Sequence, residues 1–275
     1  MDESPNVVQP DRAPGAPARF AGPVLIAFWV CSVVHLVAVL TEPGLLDPVS
    51  KALLMPLLAL WVLARRGPGI IVAALLASAA GDIALEIDGM FVPGMGFFAV
   101  AHVCYITFFV RERPAFRKAP RAGHLAEAGS GAEVGSGAQV AAEGEVGSAG
   151  ETASGAAGPG SARGRRPGAP WAAVAVYGVV WLVLVTLLWP RLGALQIPVA
   201  AYSLVLTTTA ITSSWYGVRA GLGGGLFLLS DTLIALGIAD LDIPYIGFLI
   251  MSTYIVGQYL LASAIVRRTR VTTGV

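Results

Sequence analysis

Eight apolar runs, separated by turn residues, constrain this chain more than any other feature. They lie at roughly 20–40, 51–64, 69–87, 92–110, 171–189, 197–216, 221–238 and 244–266. A bilayer core about 30 Å thick calls for about 20 apolar residues in a helix. Irregular backbone cannot face lipid, because its polar groups would go unpaired. The pattern therefore predicts an all-α membrane protein, a bundle of eight transmembrane helices. Composition agrees: 56% of residues are hydrophobic, 13% are charged and the mean hydropathy is +0.73, whereas a soluble domain carries about 25% charged residues. The breaks fall at Arg65-Arg66-Gly67-Pro68, at Asp88-Gly89, at Pro190-Arg191 and between Asp240 and Pro244, all turn-forming sequences. The second run is short, so its edges are the least defined.

Charge placement orients the bundle. With the N-terminus in the cytoplasm, only Lys51 and Arg191 of the 18 Lys and Arg residues fall on the far side, as the positive-inside rule requires. Both termini are expected to be cytoplasmic, in a plasma membrane of bacterial type. Residues 1–19 read as a disordered lead, and the first run as a retained helix rather than a signal peptide. Helices one to four occupy 20–111 and helices five to eight 170–266, with a tail over 267–275. Residues 112–169 between them are rich in Gly, Ala and Glu, with no aromatic after Phe116; such a stretch cannot bury enough apolar area to fold and reads as a disordered cytoplasmic linker. The helices on either side of it look alike. ASAAGDIAL in helix three is followed by GFFAVAHVCY, and LFLLSDTLIAL in helix seven by GFLIMSTYIVGQ. Four helices per half would make these parallel repeats.

Two carboxylates stand out inside the apolar runs, Asp82 and Asp231. A carboxylate near the centre of a membrane helix costs roughly 2.5–3.5 kcal/mol on insertion scales, so both are expected to face the bundle interior. Other polar residues fall at helical spacing: Ser78, Asp82 and Glu86; His102 and Tyr105; Tyr254 and Gln258; Tyr202, Thr209 and Ser213. Residues three or four apart share a helix face. Each set has a plainer reading. Ser78, Thr209 and Ser213 could bond to backbone or to neighbouring helices. The tyrosines could be packed with one partner each, and Glu86 could be solvated near the interface. Lys51 could snorkel to the surface, and His35 could be a satisfied core histidine. Gly223–Gly225 reads as a close-packing feature. Cys31 and Cys104 form no metal-binding pattern and read as packing residues, and the chain has no HExxH, GxSxG or P-loop motif.

The blocks KALLMPLLALWVL (51–63), LLASAAGDIALEI (75–87) and GMGFFAVAHVCYITFF (94–109), with GGGLFLLSDTLIALGI (223–238) and MSTYIVGQYLLA (251–262), resemble the YhhN family of eight-helix membrane proteins. The family's animal members are lysoplasmalogenases. One departure lies at helix two, where Lys51 is followed by Ala52 rather than proline. The resemblance implies hydrolysis of the vinyl-ether bond of a lysoplasmalogen, or a related ether lysolipid, to a fatty aldehyde and a glycerophospho-base. Its partners would be a lysophospholipid substrate and membrane lipids, with no nucleic acid, metal or cofactor. Protonation of the vinyl β-carbon gives an oxocarbenium ion that water attacks. That chemistry needs a general acid and a second group to stabilise charge, a division two carboxylates can make. On this reading Asp82 and Asp231 are acid and stabiliser in an order the sequence leaves open. His102 and Tyr105 orient water or substrate, Lys51 meets the lipid phosphate, and Tyr202, Tyr254 and Gln258 line the substrate site. The competing readings are a proton-coupled transporter, since buried Asp and His also mark ion pathways, and a non-catalytic membrane scaffold.

Overall fold

A computed structural model describes residues 16–41, 44–112 and 170–273. Among them are eight α-helices: α1 (Ala16–Thr41), α2 (Leu46–Ala64), α3 (Gly69–Leu85), α4 (Phe91–Arg111), α5 (Pro170–Leu188), α6 (Gln196–Tyr216), α7 (Val218–Ile238) and α8 (Ile246–Thr273). Two 3-10 turns, Trp189–Arg191 and Gly193–Leu195, join α5 to α6. Seven of these helices are long and apolar enough to cross a membrane; α3, with 17 residues, is slightly shorter. At 1.5 Å per residue α3 still rises roughly 25 Å, within the range of a spanning helix. The chain is an integral membrane protein. Most of the predicted lead, most of the 112–169 linker and the last two residues of the tail lie outside the described residues.

The boundaries that differ most from the sequence reading are the starts of α1 and α2 and the end of α8; α1 begins at Ala16, inside the predicted lead. α2 begins at Leu46, because Asp47 in the first turn suits the positive end of the helix dipole and Pro48 is tolerated there. Lys51 therefore sits inside α2 rather than at its start. α8 continues to Thr273, so most of the predicted tail is helical, with Arg268 Nη1 donating to the Tyr216 carbonyl at 2.8 Å.

The helices pack around a ring of contacts, α1–α2–α3–α4–α6–α7–α8, which closes where α8 meets α1. α8 is the most buried helix, and α5 the least, its main helical contact being α6. The two halves share their neighbour order but not their packing, since α1 lies within the ring and α5 outside it. Glycine permits the tightest approaches. A Cβ at Gly223 would come within 2.9 Å of Gly257 O on α8, and one at Gly224 would collide with Ser213 on α6. The predicted glycine run thus draws α7 against both neighbours. A Cβ at Gly81 would meet the Phe98 ring at 2.7 Å, which brings α3 and α4 together one residue before Asp82.

Candidate active site

α3 and α7 run unbroken through their aspartates. On α3, Ser78 and Asp82 are one turn apart and both buried. α8 crosses the interior opposite them and supplies Tyr254 and Gln258, again one turn apart and both buried. Tyr254 Oη donates to Asp82 Oδ2 at 2.7 Å. Gln258 Nε2 donates to Ser78 Oγ at 3.0 Å, and its Oε1 accepts from Tyr105 Oη of α4 at 2.8 Å. Buried polar groups need such partners, since each left unpaired costs about 1–3 kcal/mol.

Asp231 has one partner and different surroundings. Tyr202 Oη of α6 donates to its Oδ2 at 2.6 Å. Two apolar grooves meet at this pair. The first, about 610 Å³ counting its open mouth, lies between α5, α6 and α7, with Val180, Leu184, Leu206 and Leu228 among its walls. The second, about 410 Å³ counting its open mouth, lies between the α3–α4 side and α6–α7, with Leu85, Met95 and Phe98 among its walls. Tyr202 and Asp231 line both, and among the described residues Asp231 is the only carboxylate in either. Asp82 is 3% exposed and lines neither. Glu86, which ends α3 one turn beyond Asp82, carries the Lys51 pair.

His102 lies between the two groups. Its Nδ1 is 3.1 Å from Thr209 Oγ1, which itself donates to the Val205 carbonyl at 3.1 Å. A threonine hydroxyl has one hydrogen, so spending it on the backbone leaves Thr209 to accept from Nδ1–H. In that tautomer the buried Nε2, which has no hydrogen-bond partner, is a bare acceptor. The imidazole centroid is 6.4 Å from that of Tyr202, 6.3 Å from Tyr105 and 4.3 Å from Phe227. Phe227 also packs on Tyr254 at 5.4 Å and Phe98 at 6.3 Å. It is the apolar hub between the aspartate sites, and sequence reasoning missed it because one Phe in an apolar helix carries no signal.

Near the α1–α2 and α3–α4 loops, Lys51 Nζ donates to Glu86 Oε1 at 2.6 Å. Glu86 therefore has a partner, and Lys51, with 16% of its side chain exposed, turns inward rather than only snorkelling. His35 Nδ1 lies 3.0 Å from Ser50 Oγ and 3.2 Å from Asp47 Oδ1. These are the residue types of a nucleophilic triad, but a triad needs hydroxyl and carboxylate on opposite imidazole nitrogens. Here both approach Nδ1, and Ser50 Oγ donates to the Leu46 carbonyl at 2.6 Å. This trio is no acyl-transfer site. Ser213 bonds its own helix at Ala210 O, as in the plainer reading. Among the described residues no cluster of three or more His, Cys, Asp or Glu is arranged to hold a metal.

The sites are thus built from α3, α4, α6, α7 and α8, and all of these except α6 hold motif blocks. The YhhN family profile matches residues 46–132 and 157–265. Bovine lysoplasmalogenase TMEM86A is 27% identical over 264 residues, covering 91% of each chain. No solved structure matches the chain. By the extent of the profile match, this chain belongs to the YhhN family.

Proposed function

We propose that the protein is a membrane hydrolase of lysoplasmalogenase type, cleaving the vinyl ether of a lysoplasmalogen or a related ether lysolipid. The observation that carries this reading is the placement of Asp231, a carboxylate held by one tyrosine where two apolar grooves meet. A vinyl-ether lipid needs such a junction, with hydrocarbon on one side and a proton donor at the first carbons of the chain. The alkenyl chain lies in the α5–α6–α7 groove. The relative's name and the shared family support the substrate class.

Asp231 is the general acid. Its O–H proton passes to the vinyl β-carbon, the π electrons form the new C–H bond, and the adjacent carbon becomes an oxocarbenium ion. Asp82, one turn from the Lys51–Glu86 pair, is the ionised group that stabilises this cation, as preorganised charge does in other sites. Water adds to the cationic carbon and returns a proton to Asp231, giving a hemiacetal. His102, through its bare Nε2, and Tyr105 orient that water. The hemiacetal then loses its hydroxyl proton as the C–O bond to glycerol breaks and the glycerol oxygen is protonated. Fatty aldehyde and glycerophospho-base result, with one water consumed. Tyr202, Tyr254 and Gln258 hold the two carboxylates and the polar wall in place, and Lys51 contacts the lipid phosphate. The terminal end of the bundle is cytoplasmic, which puts the Lys51 end at the opposite face.

The unbroken α3 and α7 favour this reading over transport, since transporters built from repeats commonly break their helices at the binding site. Purified protein given matched lysoplasmalogens and ester lysolipids is expected to release aldehyde from the former and no fatty acid from the latter. Fatty-acid release alone, or no turnover of either, would overturn the proposal.

A further inference from the structure

α5 lies outside the ring and packs mainly along α6, so the α5–α6–α7 groove has α6 at its back and its mouth between α5 and α7. That seam is closed at both ends. At one end a Cβ at Gly225 of α7 would stand 3.3 Å from Tyr177 Oη of α5. At the other, Leu188 and Leu192 pack on Ala239, all three buried, and Arg191 Nη1 lies 3.5 Å from the Ala239 carbonyl oxygen. Between these closures, Leu184 and Val185 of α5 and Asp231 and Thr232 of α7 line the groove and are only half-buried. The proposed acid thus faces a side window on the lipid side of the ring.

The groove is short. Its walls run from Val180 to Leu188 on α5 and from Leu228 to Ala235 on α7, roughly 12 Å and 10 Å at the rise of an α-helix. Asp231 lies near the middle, with no more than about 6 Å of groove in either direction. A lipid chain reaches across its own leaflet, about 15 Å, half of the hydrocarbon core. Whichever way the chain runs, its first carbons fill the groove and the remainder has to leave through the α5–α7 window. Trp181 is the bulkiest of the groove residues, and its indole is fixed, since Nε1 donates to Ser203 Oγ of α6 at 2.9 Å. Ser203 follows Tyr202, the residue that holds Asp231, so the indole stands against the turn of α6 that presents the acid. We propose that Trp181 is a specificity-determining residue, limiting what the first carbons of the alkenyl chain can carry while the window leaves chain length unread. The assignment rests on the lysoplasmalogenase-type reading for its lipid, but not on turnover.

Saturated 1-O-alkyl lysolipids with one common headgroup test it in reconstituted bilayers, because they have no double bond to protonate and report binding alone. Compared at equal mole fraction in the bilayer, straight chains that differ by several methylenes should bind within about twofold of one another, where an enclosed pocket discriminates by about tenfold or more for a single methylene. A chain with a dimethyl branch beside the ether oxygen should bind about tenfold more weakly or worse, because its extra methyls meet the fixed wall. Trp181→Ala should bring the branched chain to within about threefold of the straight one. Trp181→Phe, which keeps a ring but loses the bond to Ser203, should do so only in part. Val185→Trp fills the window from the peripheral helix and should weaken every chain by about tenfold, as overpacking does, with the melting temperature held at the parent's. A steep preference for one chain length, branch rejection that survives Trp181→Ala in folded protein, or unimpaired binding by Val185→Trp would overturn the proposal. Length-blind, branch-selective binding without aldehyde release from the vinyl-ether lipid would instead defeat the hydrolase reading and leave the role of Trp181 standing.

Discussion

Asp82 and Asp231 start from the same sequence situation, a carboxylate in an apolar helix, and reach different surroundings. Each accepts one tyrosine hydroxyl at comparable distance, 2.7 Å from Tyr254 and 2.6 Å from Tyr202. Asp82 is walled in by α8, with the Ser78–Gln258–Tyr105 chain one turn away and the Lys51–Glu86 pair on its other side. Asp231 opens onto two apolar grooves. One carboxylate is thus held within a polar lattice, and the other is presented to hydrocarbon. A proton donor to carbon must reach its substrate, whereas a stabilising charge can act from behind. On the proposed mechanism, this difference is what assigns the two roles that the sequence left interchangeable.

The strongest way to break this comparison is to neutralise each carboxylate in turn. Asp231→Asn is expected to lower aldehyde release by a factor on the order of 10²–10⁴, the range for losing a general acid. Asp82→Asn should cost on the order of 10²–10³, as losing a preorganised stabilising group does. Both are read from kcat with protein shown to be folded; equal activity in either variant and the parent removes that residue's role. The tyrosines sharpen the contrast at smaller scale. Tyr202→Phe frees the groove-facing carboxylate and should lower kcat by about tenfold, near the low end for a hydrogen bond to a charged group. Tyr254→Phe, in the enclosed site, should lower the melting temperature more than the Tyr202 change does. The smallest effect on turnover belongs to Gln258→Leu. It strands Tyr105 Oη and Ser78 Oγ and should destabilise the bundle by about 1–3 kcal/mol, while KM for the lipid moves less than twofold. A large KM change with unaltered stability would place Gln258 against substrate instead.

Much of the fold was legible because a bilayer leaves few options. Run length, turn residues and arginine placement are enough to find eight helices, and helical spacing is enough to collect Ser78 with Asp82 and Tyr254 with Gln258. Partnership across helices was not legible. Nothing in the local sequence says that Tyr254 meets Asp82, 172 residues away, while Tyr202 meets Asp231. Those pairings depend on how far glycine contacts such as Gly223 against Gly257 let the helices approach. Asp47 escaped notice for a related reason. It lies in a stretch whose helix start the sequence did not define, and only the packing of α1 on α2 brings it to His35. The role of α5 as a groove wall was also hidden, since its lipid-facing and groove-facing residues are equally apolar.

Cleavage in D2O tests the central claim most directly. If an enzyme acid protonates the vinyl β-carbon, aldehyde released from a lysoplasmalogen and trapped at once should carry one deuterium on the carbon next to the carbonyl. Asp231→Asn should release almost none. Aldehyde free of deuterium at that carbon, or undiminished release by the Asp231 variant, would contradict the account.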